Sequence, residues 1–340
     1  MVSISTFAAM IFTLTAAFFL PAIVLVVLCA ARRVPWKSAL AGLFTYLVIQ
    51  YLLRLPLLSL LYRVDTVANF MDTLVGSGLV MGLSAAIFEA GSRWLIGSKL
   101  LGRKRDLTAR DALGYGLGHG LADAIVVVGV SAASNLMLAF SIHNNNFLDY
   151  ITKQSLSQEQ AMRIYSVITG TPAIKFAASG IERMMVMVLQ IAFTFLVFYG
   201  IRQKKSRYFW LAFGGHFLLN FGISLMTPHG IWMGEGFIFL LTMLTVVGCM
   251  PLVSHFRQMD RVELPAEGMP QEELPEGLLE GETAEGSLLE EGAETAESEE
   301  PVLTAEPEEA AETEEPEEVE EPNRDLPQTE EEEEKENPDR

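Results

Sequence analysis

Three apolar stretches of this chain each carry two polar residues four positions apart: Glu89 with Arg93, His119 with Asp123, and His216 with Asn220. Four-residue spacing places both members of a pair on one helical face. An ionisable side chain inside a membrane span is costly and marks a functional site by default. A carboxylate, two imidazoles and a carboxamide are groups that amide hydrolysis can use. Glu89 would take a proton from water, while His119, His216 and Asn220 hold the water and stabilise the tetrahedral oxyanion. One carboxylate and two imidazoles also make a zinc ligand set with a fourth position open for water; Glu89, His119 and His216 would be those ligands. The chain has no HExxH pattern, so no cofactor is expected and zinc stays as the alternative.

The three groups share a depth. Glu89 lies 10 residues before Lys99, His119 lies 9 after Arg110, and His216 lies 9 after Arg207. At about 1.5 Å per residue, each sits roughly 13 to 15 Å beneath a basic flank, so three spans deliver their polar groups to one layer. Arg93 is placed to pair with Glu89 along the span. Asp123, one turn deeper than His119, is placed to orient that imidazole. Gln190 falls 12 residues before Arg202 and lines the same layer. Gly118 and Gly120 flank His119 and permit close approach of another helix. Arg54 reads as snorkelling outward. Glu182 and Arg183 read as an interfacial pair near the outer surface, and His143, His229 and His255 as surface residues at span ends.

Half of the 340 residues are hydrophobic, which predicts an all-α, polytopic membrane bundle of about seven transmembrane helices. The spans expected are Ser5 to Ala31, Ser38 to Tyr62, Thr73 to Gly97, Ala112 to Phe140, Ile181 to Ile201, Tyr208 to Met226 and Gly234 to Phe256. The amino terminus lacks a basic n-region, and its apolar run is longer than a signal sequence needs, so it reads as an uncleaved first span. Basic residues cluster in alternate loops: Arg32, Arg33 and Lys37; Lys99 to Arg110; Arg202 to Arg207; Arg257 and Arg261. The positive-inside rule makes that side cytoplasmic, with the amino terminus outside and the carboxyl tail inside. The connection from His143 to Ser179 is the longest outer one, with a short interfacial helix expected at Gln158 to Ile168.

Charge divides the chain. Residues 1–258 hold 20 Lys and Arg against 10 Asp and Glu, while residues 259–340 hold 4 against 33. The second stretch has no aromatic residue and too little apolar surface to offset its ordering entropy, so a disordered acidic cytoplasmic tail is expected, able to tether a basic partner. The two cysteines, Cys29 and Cys249, have no metal or disulfide spacing and read as small core residues. The partners expected are the lipid bilayer and a peptide or membrane-protein substrate, with no nucleic acid.

Phe88, Glu89 to Arg93, then Tyr115 to His119, then His216 to Asn220 resemble the EExxxR, FxxxH and HxxxN motifs of the CAAX-processing glutamate intramembrane endopeptidases, and more closely their YhfC-like membrane peptidase relatives. The motifs stand in family order across residues 88–220, and the span layout is similar over roughly 1–257. The resemblance implies an intramembrane-protease-like domain at 1–258, with Glu89 activating water and His119, His216 and Asn220 assisting. Two departures are evident: Phe88 and Ala90 flank a single glutamate where the family has two in tandem, and Tyr115 replaces Phe. A noncatalytic membrane scaffold and a proton-coupled transporter built on the same ionisable layer are the other functions compatible with these residues.

Overall fold

The computed structural model describes residues 2–103 and 105–263. Among them, seven helices are long and apolar enough to cross a membrane: α1 (Ile4–Ala30), α2 (Trp36–Leu61), α3 (Leu74–Leu101), α4 (Ala109–His143), α5 (Ala173–Arg202), α6 (Arg207–His229) and α7 (Ile231–Arg261). The described residues contain no strand. All backbone polar groups of a span must be satisfied within it, and helices do this one segment at a time. The chain splits into two units, Met1–Met269 and Pro270–Arg340. The first residues of the acidic tail expected at 259–340 continue the last helix, which runs to Glu263; the rest of that tail, with the second unit, lies outside the described residues.

The number of spans matches the expectation from hydropathy, and the boundaries move where local chemistry is stronger than hydropathy. Helix α5 begins at Ala173 rather than Ile181. Pro172, held extended at φ −57° and ψ 139°, sits at its N-cap, so the helix starts directly after it and takes Lys175 into its first turn. Helix α4 begins at Ala109 rather than Ala112 because Thr108 and Asp111 form a capping box. The short helix expected at 158–168 runs Gln158–Gly170, capped reciprocally by Ser157 and Gln160.

Helix α5 is the central rod. About two thirds of its apolar window (67%) is buried, against 17–44% for the other six spans, and it packs on α1, α3, α4, α6 and α7. The outer spans, α1, α2 and α7 among them, turn large residues such as Val26, Leu52, Leu60, Leu244 and Val247 outward, as a lipid-facing surface requires. Asp111 joins α4 to its neighbours: it accepts from Ser38 Oγ of α2 at 2.6 Å and from Arg105 Nη1 and Nη2 at 2.6 and 2.7 Å.

Helices α2 and α4 touch backbone to backbone. A Cβ on Gly42 would stand 2.1 Å from the Tyr115 carbonyl oxygen and 2.9 Å from His119 N, and one on Gly118 would stand 1.9 Å from the Ala39 carbonyl oxygen. Only glycine lets two spans come this close. The spans also contain π-helical turns, two of which bear directly on the polar interior: Ile49–Arg54 in α2 and Ala86–Ala90 in α3. Such turns insert one residue and swing a side chain off the regular stripe, and they are frequent at functional sites.

Candidate functional site

Glu89 sits within the π turn of α3, 6% exposed, and is surrounded by α4, α5 and α6. Its Oε2 atom lies 3.6 Å from His119 Nε2 on α4 and 3.5 Å from His216 Nδ1 on α6. The structure therefore brings together the three ionisable groups that the sequence places at one depth. Both imidazoles are fully buried, and among the described residues none of their four ring nitrogens has a hydrogen-bond partner. Buried polar atoms are normally satisfied, so these four nitrogens, two of which face the Glu89 carboxylate, set this layer apart from an ordinary packed interior. Tyr46 packs edge-on against His119 at 5.1 Å, Tyr115 stacks on it at 5.8 Å, and Phe193 lies 4.5 Å from the His216 ring, which together fix both imidazoles.

Helix α5 supplies the polar girder beneath this layer. Gln190 Nε2 donates to Glu89 Oε2 at 3.0 Å and to Asp123 Oδ2 at 3.3 Å, while its oxygen accepts from Arg93. Arg93 also donates from Nη1 to the Glu89 carbonyl oxygen at 2.8 Å and from Nε to Thr194 Oγ1 at 3.0 Å, and its Nη1 is 3.7 Å from Glu89 Oε2. One uncharged amide thus holds two carboxylates and a guanidinium in register. Gly116 and Gly215 make room for it: Cβ atoms there would stand 2.8 Å from Ile191 Cα and 2.3 Å from the Phe193 ring, so α4 and α6 sit directly on α5.

Other residues stand differently from the sequence expectation. Asp123 does not bond His119. Its two oxygens accept from Tyr46 OH at 2.9 Å and from Gln190, with Arg183 Nη1 at 3.9 Å, because one helical turn carries it past the imidazole toward α2 and α5. Asn220, half-buried, donates from Nδ2 to the His216 carbonyl oxygen of its own helix at 3.0 Å. Arg183 pairs with Glu182 as expected, but it is buried and reaches inward to Asp123. Arg54 does not snorkel: it is 8% exposed, packed between α2 and α3. Its donors meet Ser84 Oγ, the Gln50 side chain and the Met81 carbonyl oxygen, which hold it inward. Tyr46 and Thr194 escaped the sequence reading; Tyr46 lies four residues after Gly42 on the same helical face, a spacing that could have pointed to it.

Glu89, His119 and His216 are of residue types that can ligate zinc. Two ligands about 2.1 Å from one ion in tetrahedral geometry stand about 3.4 Å apart, close to the separations from Glu89 to each imidazole. No group of three or more His, Cys, Asp or Glu forms a ready metal cluster among the described residues. The donors fit in kind, and their ring nitrogens make no hydrogen bond among the described residues.

Comparison with known proteins gives three findings. The chain is 29% identical over 143 residues to the "Uncharacterized membrane protein YhfC" of Bacillus subtilis (strain 168), a match covering 42% of this chain and 54% of that protein, so the chain spans about half the length of the relative. No solved structure matches. The family described as "YhfC intramembrane metalloprotease" matches residues 16–238, which include six of the spans in whole or in large part and every residue of the polar layer, and the chain belongs to that family.

Proposed function

We propose that this protein is an intramembrane peptidase that hydrolyses a peptide bond at the Glu89–His119–His216 layer. The observation that carries the reading is one buried carboxylate oxygen facing, at 3.6 and 3.5 Å, two imidazoles that make no hydrogen bond among the described residues. The family description supports a membrane protease in general terms.

In the reaction we propose, Glu89 accepts a proton as water adds to the scissile carbonyl carbon, and the carbonyl π bond becomes the oxyanion. An N–H from His119 or His216 donates to that oxyanion, and a donor held rigid in a dry site is worth far more than one in water. Protonated Glu89 then returns the proton to the leaving nitrogen as the C–N bond breaks. Arg93 and Gln190 are positioning residues that hold Glu89 in place. Asn220 supports the layer through the His216 carbonyl, and its second N–H remains for the oxyanion. The positive-inside rule, applied to the Lys99, Arg110 and Arg207 flanks, supports a pocket that opens toward the cytoplasmic leaflet.

A metal-assisted version is favoured by the same ring nitrogens and by the family's description. Glu89, His119 and His216 would hold the ion, which supplies a more acidic water and a polarised carbonyl. The substrate in either case is a peptide segment able to reach a site within the bilayer.

The test starts from comparative membrane proteomics of wild-type and Glu89→Ala cells, to find a precursor that accumulates. Purified wild-type protein should cleave it, and Glu89→Gln should lower the rate by about 10²- to 10⁴-fold. Cleavage by Glu89→Gln at the wild-type rate would remove the central step. Stoichiometric zinc that is lost in His216→Ala, with chelator-sensitive cleavage, selects the metal version; metal-free protein with chelator-resistant cleavage selects the glutamate alone.

A further inference from the structure

Arg93 and Arg183 are buried in the spans, and each has a carboxylate within 4 Å: Glu89 for Arg93, and Asp123 and Glu182 for Arg183. Arg54 is buried to the same degree and has none among the described residues. Its contacts are neutral and long: Nε to Ser84 Oγ at 3.2 Å, Nη1 to Gln50 Oε1 at 3.3 Å and Nη2 to the Met81 carbonyl oxygen at 3.3 Å. A guanidinium has five N–H donors. Three are used, leaving one N–H on each terminal nitrogen, and a carboxylate is the acceptor that gives a guanidinium its strong, charge-assisted hydrogen bonds. An uncompensated buried cation is expensive, and in a span the cost is normally relieved by a partner.

The position of Arg54 says where that partner comes from. Tyr46, Gln50 and Arg54 recur every four residues on α2, along the stripe that at Gly42 touches the Tyr115–His119 backbone and at Tyr46 bonds Asp123. The π turn that carries Arg54 packs against the π turn that carries Glu89. The α3 partner of Arg54, Ser84, is five residues from Glu89, about 7.5 Å along the helix. An extended peptide advances about 3.4 Å per residue, so that distance is about two residues of substrate.

We propose that Arg54 anchors a carboxylate of the substrate, about two residues from the scissile bond. The proposal rests on the peptidase reading for the word substrate, and its test reads binding alone, so the two can fail separately. The carboxylate belongs either to a free C-terminus or to an acidic side chain, and the chemistry that recognises it is the same.

The experiment measures binding of N-acetyl-leucyl-leucine, its C-terminal amide and N-acetyl-aspartyl-leucine amide to the purified full-length protein in detergent micelles, by calorimetry and by the shift in unfolding temperature. At least one of the two acids should bind more tightly than the neutral amide, and which one identifies the source. Arg54→Gln should weaken that acid by about tenfold or more while leaving the amide unchanged, and Arg54→Lys should keep part of the preference. Glu89→Gln should retain the acid preference even if it abolishes cleavage. Equal binding of acids and amide by wild type overturns the proposal, whether or not Arg54→Gln folds. So does an acid preference that survives unchanged in Arg54→Gln.

Discussion

Replacing Gly42 with alanine would test whether the site is held by the backbone contact between α2 and α4. The added Cβ would lie 2.1 Å from the Tyr115 carbonyl oxygen and 2.9 Å from His119 N, whereas ordinary contact begins near 3.4 Å. The nearest atoms belong to backbone, so no rotamer change relieves the clash and the helices must part by about 1 Å. His119 moves with α4, while Glu89 is held on α3 by Arg93 and Gln190, so the 3.6 Å approach of Glu89 to His119 is lost. Overpacking of this kind costs about 1–3 kcal/mol in stability. A misplacement of about 1 Å in a reacting group costs about 10²-fold in rate. The assay pairs thermal unfolding in micelles with cleavage of the accumulating precursor, using Gly214→Ala as the control, since nothing lies within 4 Å of a Cβ there. A Gly42→Ala protein with the wild-type unfolding temperature and cleavage rate would refute the reasoning. Equal damage from Gly214→Ala would refute it too.

Two further outcomes follow from the polar framework. Gln190→Leu strips the amide that joins Glu89, Asp123 and Arg93, leaving buried charges without their shared partner; unfolding should show a loss of about 2–5 kcal/mol, and a stability equal to wild type would mean the girder is not structural. Asp111→Ala removes the capping partner of Thr108 together with the bonds to Ser38 and Arg105. It should cost about 1–3 kcal/mol and lower the unfolding temperature while leaving the intrinsic rate of the folded fraction near wild type. A selective loss of rate with no loss of stability would contradict that division of roles.

The sequence alone determined the class of molecule and the inventory of its polar layer. Seven apolar stretches require seven helices because lipid offers no partner to an open backbone. Within them, spacing by four and equal distance from the basic flanks bring Glu89, His119 and His216 to one depth, since a helix converts residue count into length. Tertiary structure decided which way those groups turn and what they meet. Hydropathy is silent on rotation about a helix axis, and a π turn shifts it further, so Arg54 turned inward although its surroundings in sequence are as apolar as those of a lipid-facing residue. The same freedom sent Asp123 to Tyr46 and Gln190 instead of His119, and Asn220 back to its own helix. The bonds of Gln190 depend on atoms 67 and 101 residues away in the chain, and no local pattern encodes such distances. Glycines mark where helices touch, but only packing shows which partner each one admits: Ala39 for Gly118, Tyr115 for Gly42, Ile191 for Gly116.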